Sequence, residues 1–278
     1  MAELEIGVAS ATELAEFGEW AAAEGWNPGR SDLLAFAATD PAGFLVGRLD
    51  GRAIASISAI RYGSEYGFIG FYIVRSEFRG QGFGIRLWRA GMDRLAGRNV
   101  ALDGVVDQQE NYRKSGFRHA YNHVRYEGVP AVDSVADCTL VDGRSIPFDQ
   151  LALYDRRFFP ADRSAFLASW VNLPGHHSLA AVRDGQLEGF AVLREARSGS
   201  RIGPLFATSD DVAHALVAGL STPGTSIAID VPDANVAAVK LAERLSLEPT
   251  FECARMYTGR LPDIELPGIF ANTSLELG

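Results

Sequence analysis

An apolar run that halts at a glycine-rich elbow and restarts as an amphipathic helix restricts the fold of this chain more than any other feature. Residues 68–74, Phe-Ile-Gly-Phe-Tyr-Ile-Val, are aromatic and β-branched and form a short run bounded by turn signals, so they read as a buried strand. Ile85, Trp88, Met92 and Leu95 then recur at helical spacing. Between them stand Arg79, Gly80, Gln81, Gly82, Phe83 and Gly84. The three glycines let backbone N–H groups converge at a helix N-terminus, where unpaired donors and the helix dipole attract an anion such as a pyrophosphate. Neither the Gly-x-Gly-x-x-Gly of a dinucleotide fold nor a P-loop lysine is present.

Arg79, Gly82 and Gly84, spaced Arg-x-x-Gly-x-Gly after a strand, resemble the Arg/Gln-x-x-Gly-x-Gly/Ala signature of the GNAT superfamily of acetyl-CoA-dependent N-acyltransferases. Tyr112, Gly116 and Phe117 are similar to that family's Tyr-x-x-x-Gly-Phe ending, and the two motifs come in the family's order. The resemblance implies an α/β (α+β) fold whose mixed, mostly antiparallel sheet is flanked by helices. It also implies that Arg79, Gly80, Gln81, Gly82, Phe83, Gly84 and Ile85 hold the pyrophosphate of acetyl-CoA. Backbone at Tyr72, Ile73 and Val74 would pair with the pantetheine arm, Asn111 would orient CoA or an ordered water, unless it is only a turn residue, and Tyr112 would protonate the departing thiolate. A phenol with pKa near 10 stays protonated at neutral pH, as a general acid requires. Tyr112 as an aromatic filling the groove beside Phe117 is the other reading.

The family often carries an acidic residue on its central strand, yet residues 68–74 contain none. Asp103 interrupts the next apolar run and is the first candidate for a base, or else an Asp at a strand end that bonds backbone amides. The resemblance places Trp26 and Asn27, in the elbow after the first helix, against the acceptor, the other reading being a solvent loop whose Trp plugs a core edge. Phe71, for its aromatic ring, and Asp103, for its charge, are further candidates to contact the acceptor. His177 would reach it from the second half, unless it merely shapes a turn beside His176.

The two cysteines, Cys138 and Cys253, form neither a disulfide framework nor a Cys-x-x-Cys pair, so no metal is expected. Both fall in the second half, which leaves no thiol in the expected groove and favours direct transfer in a ternary complex. With 26 Lys+Arg against 35 Asp+Glu, a net charge of -9 disfavours nucleic acid and anionic membranes as partners. No signal-like or spanning apolar segment is present, so a cytoplasmic location is expected.

Along the chain, Thr12 reads as the cap of a first helix ending near Gly25, and Ser31 as the cap of a second. Asp50-Gly51 joins two strands of a hairpin, and Asp184-Gly185 repeats that turn 134 positions later. Residues 201–207 parallel 68–74 at nearly the same offset, and 253–257 parallel 122–126. A repeat at domain-sized period argues for two copies of one unit rather than a solenoid. The expected domains are 1–130, binding acetyl-CoA and catalytic, and 134–278, a degenerate copy that shapes the acceptor site. In the second copy the elbow reads Thr208, Ser209, Asp210, Asp211, without arginine or glycine, and its carboxylates would repel a pyrophosphate. Instead it should cap its helix.

The function that follows is acetyl-CoA-dependent N-acetylation of a small-molecule amine by a monomer or homodimer without a metal. Two other readings remain open: a non-catalytic acyl-CoA sensor, and an enzyme acetylating a protein or peptide.

Overall fold

Ser10, rather than the expected Thr12, starts the first helix. Its hydroxyl accepts from the Glu13 amide while the Glu13 carboxylate accepts from the Ser10 amide, a reciprocal cap. The computed structural model describes residues 3–132 and 138–278. Its first half runs β1 (Glu5–Val8), α1 (Ala11–Ala23), α2 (Asp32–Thr39), β2 (Phe44–Leu49), β3 (Arg52–Tyr62), β4 (Tyr66–Val74), α3 (Phe83–Arg94), β5 (Asn99–Val105), α4 (Gln109–Lys114) and β6 (Arg118–Gly128). The second runs β7 (Thr139–Asp142), α5 (Phe148–Asp155), α6 (Ser164–Trp170), β8 (His176–Arg183), β9 (Gln186–Glu195), β10 (Ser200–Ala207), α7 (Asp210–Leu220), β11 (Ile227–Pro232), α8 (Val236–Arg244), β12 (Glu248–Tyr257) and β13 (Ile269–Ala271). The start expected for the second domain, residue 134, lies outside the described residues.

The hairpin turns form as their residues dictate. Asp50 and Gly51, and likewise Asp184 and Gly185, all take positive φ, the conformation a two-residue turn between twisted strands requires. Ser31 makes no capping bond; Asp32 instead accepts from the Gly29 amide at 3.0 Å. Ser209 and Asn235 cap α7 and α8.

The strands join one sheet in the order β1-β2-β3-β4-β5-β12-β6-β11-β10-β9-β8-β7. Each half therefore gives its last long strand to the other: β12 lies between β5 and β6, and β6 lies between β12 and β11. The sheet is mixed and mostly antiparallel, with parallel pairing at β4–β5 and β10–β11. Helices from both halves also share one aromatic core, where Phe36 of α2 stacks on Phe166 and Trp170 of α6 at 6.3 and 5.8 Å. Separate cores lie under α3 and under α7 with α8.

The two halves differ where their parallel strands end. In the second, pairing stops at Ile202↔Ile229, and β13 then fills the space by pairing Leu205 with Ala271. In the first, pairing stops at Ile69↔Leu102, and β13 has no counterpart there among the described strands. No described helix is long and apolar enough to cross a membrane.

Candidate active site

Opposite Ile57 of β3, strand β4 carries two residues, Phe71 and Tyr72, and this bulge changes the phase of its side chains. Phe68, Phe71 and Ile73 enter the shared aromatic core, whereas Ile69, Tyr72 and Val74 pack under α3. Phe71 has φ +45°, a conformation that a bulky residue holds only when its surroundings impose it. Ser56 Oγ donates to the Phe71 carbonyl at 2.7 Å. With β5 already diverging, the β4 backbone beyond Ile69 borders a gap through the sheet. A cleft of about 580 Å³ occupies that gap and extends to the glycine elbow.

At the elbow, Gly80 and Gly82 have φ of +75° and +82°, and Gly82 precedes the first turn of α3. Nothing lies within 4 Å of where a Cβ would stand at either position, so an anion can approach the backbone closely. The first amides of α3 lack intrahelical acceptors by geometry and supply the donors. Arg79 Nε donates to the Val74 carbonyl at 2.7 Å, and its guanidinium also pairs with Glu24 at the end of α1. Gly84 and Ile85 border the cleft. Gln81 turns back to the Glu77 carbonyl at 3.1 Å, and Phe83 packs on Phe78.

Tyr112 reaches the cleft from α4, its ring packed at 5.5 Å from Trp88 and 6.5 Å from Phe117. Burial pushes its phenol pKa up, so it remains a proton donor across the neutral range. Asn111 points away, donating to Gln108 Oε1 at 2.8 Å.

Asp103 borders the cleft but is heavily committed. Its two oxygens each accept from Arg255 at 2.7 Å, and His123 Nδ1 lies 2.9 Å away. Burial opposes ionisation, but the Arg255 guanidinium prevails and holds the carboxyl below its usual range. A carboxylate so held is a weak base.

Cys253 corrects an expectation. Strand exchange sets β12 beside β5, so Cys253 pairs with both Val105 and His123 and lines the cleft. Sequence position alone placed it in the other half. Burial, helped by the nearby Asp103 charge, raises its thiol pKa well above the usual value and disfavours the nucleophilic thiolate. Donor atoms of Asp103, His123 and Cys253 lie within 4.8 Å of one another, but the fixed charge of Arg255 already neutralises the carboxylate among them.

Trp26 borders the cleft, while Asn27 faces the second half, its amide donating to the Ser198 carbonyl at 2.9 Å. The loop carrying them is held from below: Arg125 donates to the Trp26 carbonyl at 2.8 Å and Arg201 to that of Asn27 at 3.1 Å. Both arginines pair with buried Asp230. Phe71 offers the cleft its backbone, since its ring is wedged between Phe17 and Phe36. His177 lies on β8 in a separate groove with Asp142 and Arg144. Sequence reasoning missed Arg125, Cys253, Leu275 and Glu276, all of which line the cleft. They arrive on exchanged strands or on the tail, and no local pattern announces that.

A glycine elbow, a bulged strand and a splayed parallel pair define an acyltransferase of the GNAT type, and comparisons with known proteins agree. Residues 11–117 match the "Acetyltransferase (GNAT) family" and residues 151–270 the "Acetyltransferase (GNAT) domain". The chain is 32% identical to the holothin acyltransferase of Pseudoalteromonas sp. (strain SANK 73390), covering 94% of this chain and 90% of that one. It therefore belongs to the GNAT acetyltransferase family, as a member with two GNAT domains in tandem. A solved Pyrococcus horikoshii chain of proposed acetyltransferase activity superposes with TM-score 0.84 at 22% identity, over 99% of this chain and 96% of that one. A tandem GNAT protein from the clavulanic acid pathway superposes at 0.63 with 15% identity, over 93% and 100%. These two likenesses concern the fold.

Proposed function

We propose that this protein transfers an acetyl group from acetyl-CoA to the amine of a small molecule, and that the cleft between β4 and β5 is where it does so. The observation that carries the reading is the asymmetry between halves. The first has an open gap leading from a glycine elbow, whereas the corresponding space of the second is filled by β13. The elbow suits a pyrophosphate, the bulged backbone of Phe71 and Tyr72 suits an amide-rich arm, and Tyr112 faces the position of a departing sulfur. The thioester supplies the activated acyl carbon and the thiol leaving group. Residues of the chain orient it, exclude water through the aromatic walls and provide the proton that the thiolate takes up. Asp103 serves to keep Arg255 ionised and in place. Similarity to a holothin acyltransferase supports a small-molecule acceptor. The cytoplasm suits a chain that draws on acetyl-CoA.

Gly82→Asp tests the reading. A side chain at φ +82° is strained and a carboxylate at the helix start repels phosphate. Calorimetry is expected to show acetyl-CoA binding in the wild type and at least about tenfold weaker binding in the variant, corresponding to about 1.4 kcal/mol. Equal affinity would move the cosubstrate out of this cleft.

Direct attack makes a second prediction. Because the Cys253 thiol is held neutral, Cys253→Ser should keep kcat within about threefold, a change under 1 kcal/mol. Intact-mass spectra of the wild type after incubation with acetyl-CoA should show no acetyl adduct on this residue. An adduct that the acceptor amine discharges would establish a covalent route instead.

A further inference from the structure

Gly70 is the last residue of β4 before the bulge, and a side chain has no room there. A Cβ would stand 2.0 Å from the Glu276 carbonyl oxygen. The tail after β13 passes over this point, tied down where Tyr62 donates to the Leu277 carbonyl at 3.0 Å and Arg163 to that of Gly278 at 3.0 Å. It carries Glu276 into the cleft wall, 3% exposed. Among the described residues, its Oε2 makes no hydrogen bond, and its Oε1 is 4.0 Å from Arg201. An ionisable group is rarely left so unless something else is to bind it.

On the acyl-transfer reading above, on which this rests, we infer that Glu276 is the general base that deprotonates the acceptor amine, delivered by the tail of the second half to a strand of the first that carries no carboxylate. The placement supports it. Gly70 and Phe71 lie on the shared-core face of the sheet, where the tail runs, whereas Tyr112 packs with Tyr72 and Trp88 on the α3 face. A carbonyl in the gap thus has a base on one side and an acid on the other. The substrate ammonium gives one proton to Glu276. The freed lone pair forms the C–N bond, the C–S bond breaks, and the sulfur takes the Tyr112 proton. The second proton lost by nitrogen returns through solvent to the tyrosine, so one proton is released per amide formed.

The groups facing Glu276 come from four elements: Arg201 on β10, Arg194 on β9, Arg125 on β6 and Asp32 on α2. Burial, reinforced by Asp32 and opposed by the arginines, raises the carboxyl above its ordinary value, toward that of a useful base.

Glu276→Gln in the full chain tests the assignment, with acetyl-CoA as donor and two probe amines, an alkylamine that is cationic at pH 7 and an arylamine that is neutral. The expected result is a loss of about 100-fold or more in kcat for the alkylamine. The arylamine should lose distinctly less, acetyl-CoA affinity should stay within about threefold, and the acidic limb of the alkylamine's pH–rate profile should move up toward the amine's own pKa of about 10, since only the fraction already neutral can then attack. Glu276→Asp, which keeps the carboxylate, should recover part of the alkylamine rate and serves should the Gln variant not fold. Unchanged kcat with an intact acidic limb would overturn the assignment, as would an equal loss for both amines accompanied by weakened acetyl-CoA binding. A wild type that binds acetyl-CoA but acylates neither amine would overturn the acyl-transfer reading along with it.

Discussion

Tyr112→Phe is expected to lower kcat by about 10²–10⁴, the range that a positioned proton donor supplies, while the affinity for acetyl-CoA changes by less than about threefold. The ring is what packs: Trp88 and Phe117 contact it on the α3 side, and phenylalanine keeps those contacts. Only the hydroxyl is lost. Because burial raises the phenol pKa, this group stays protonated over the pH range in which an amine can be deprotonated, so its removal should not shift the profile's acidic limb. Steady-state kinetics with thiol detection, beside calorimetry on the same preparation, would show both effects. A kcat within threefold of wild type would remove Tyr112 from the chemistry and return it to its packing role.

The largest stability effect is expected from Asp230→Asn. Asp230 is the shared partner of Arg125 and Arg201, both almost wholly buried. An amide of the same shape leaves two guanidinium groups facing each other without the carboxylate they share, the Glu276 carboxyl standing 4.0 Å from Arg201. Removing one side of such a pair costs about 3–5 kcal/mol, a drop in Tm on the order of 10 °C. Burial works against the Asp230 charge, but Arg125 and Arg201 outweigh it and hold the carboxyl far below its usual range. The sign follows from that direction. The contribution is fully present above the unfolded carboxyl pKa of about 3.9 and is lost only as pH falls through the depressed folded value. Thermal unfolding should therefore show the wild-type advantage undiminished from pH 7 to 5. The same arginines hold the Trp26 and Asn27 carbonyls, so acceptor KM should rise in the variant even below its melting temperature. A variant as stable as the wild type would mean that the arginines find other acceptors.

Residues close in sequence were legible because their physics is local. The Asp-Gly turns, the strand read at 68–74 and found at 66–74, the glycine elbow and the helix after it follow from backbone freedom and periodicity within some twenty residues. The capping role of the 208–211 elbow, which Ser209 fills, was legible for the same reason; that of Asn235 was not read from the sequence. Side-chain direction at exposed loops was not. Gln81, Asn111 and Asn27 satisfy backbone or side-chain partners outside the cleft. Asp103 stands out in the sequence as an odd charge in an apolar strand, but its meaning depends on Arg255, 152 positions away.

What the sequence determined by itself was the family, the elbow and the existence of two related halves, since each is written in short-range spacing. Tertiary structure decided which strands meet. Exchange of β6 and β12 brought Cys253 to the first half's cleft and Arg255 to Asp103, and the segment from β13 onward closed one gap while lending Glu276 to the other. The physical reason is that strand pairing satisfies the same backbone hydrogen bonds whichever chain segment supplies them, so partner choice rests on long-range packing and buried charge. Those terms are summed over residues more than a hundred positions apart, and they exist only once the chain has folded.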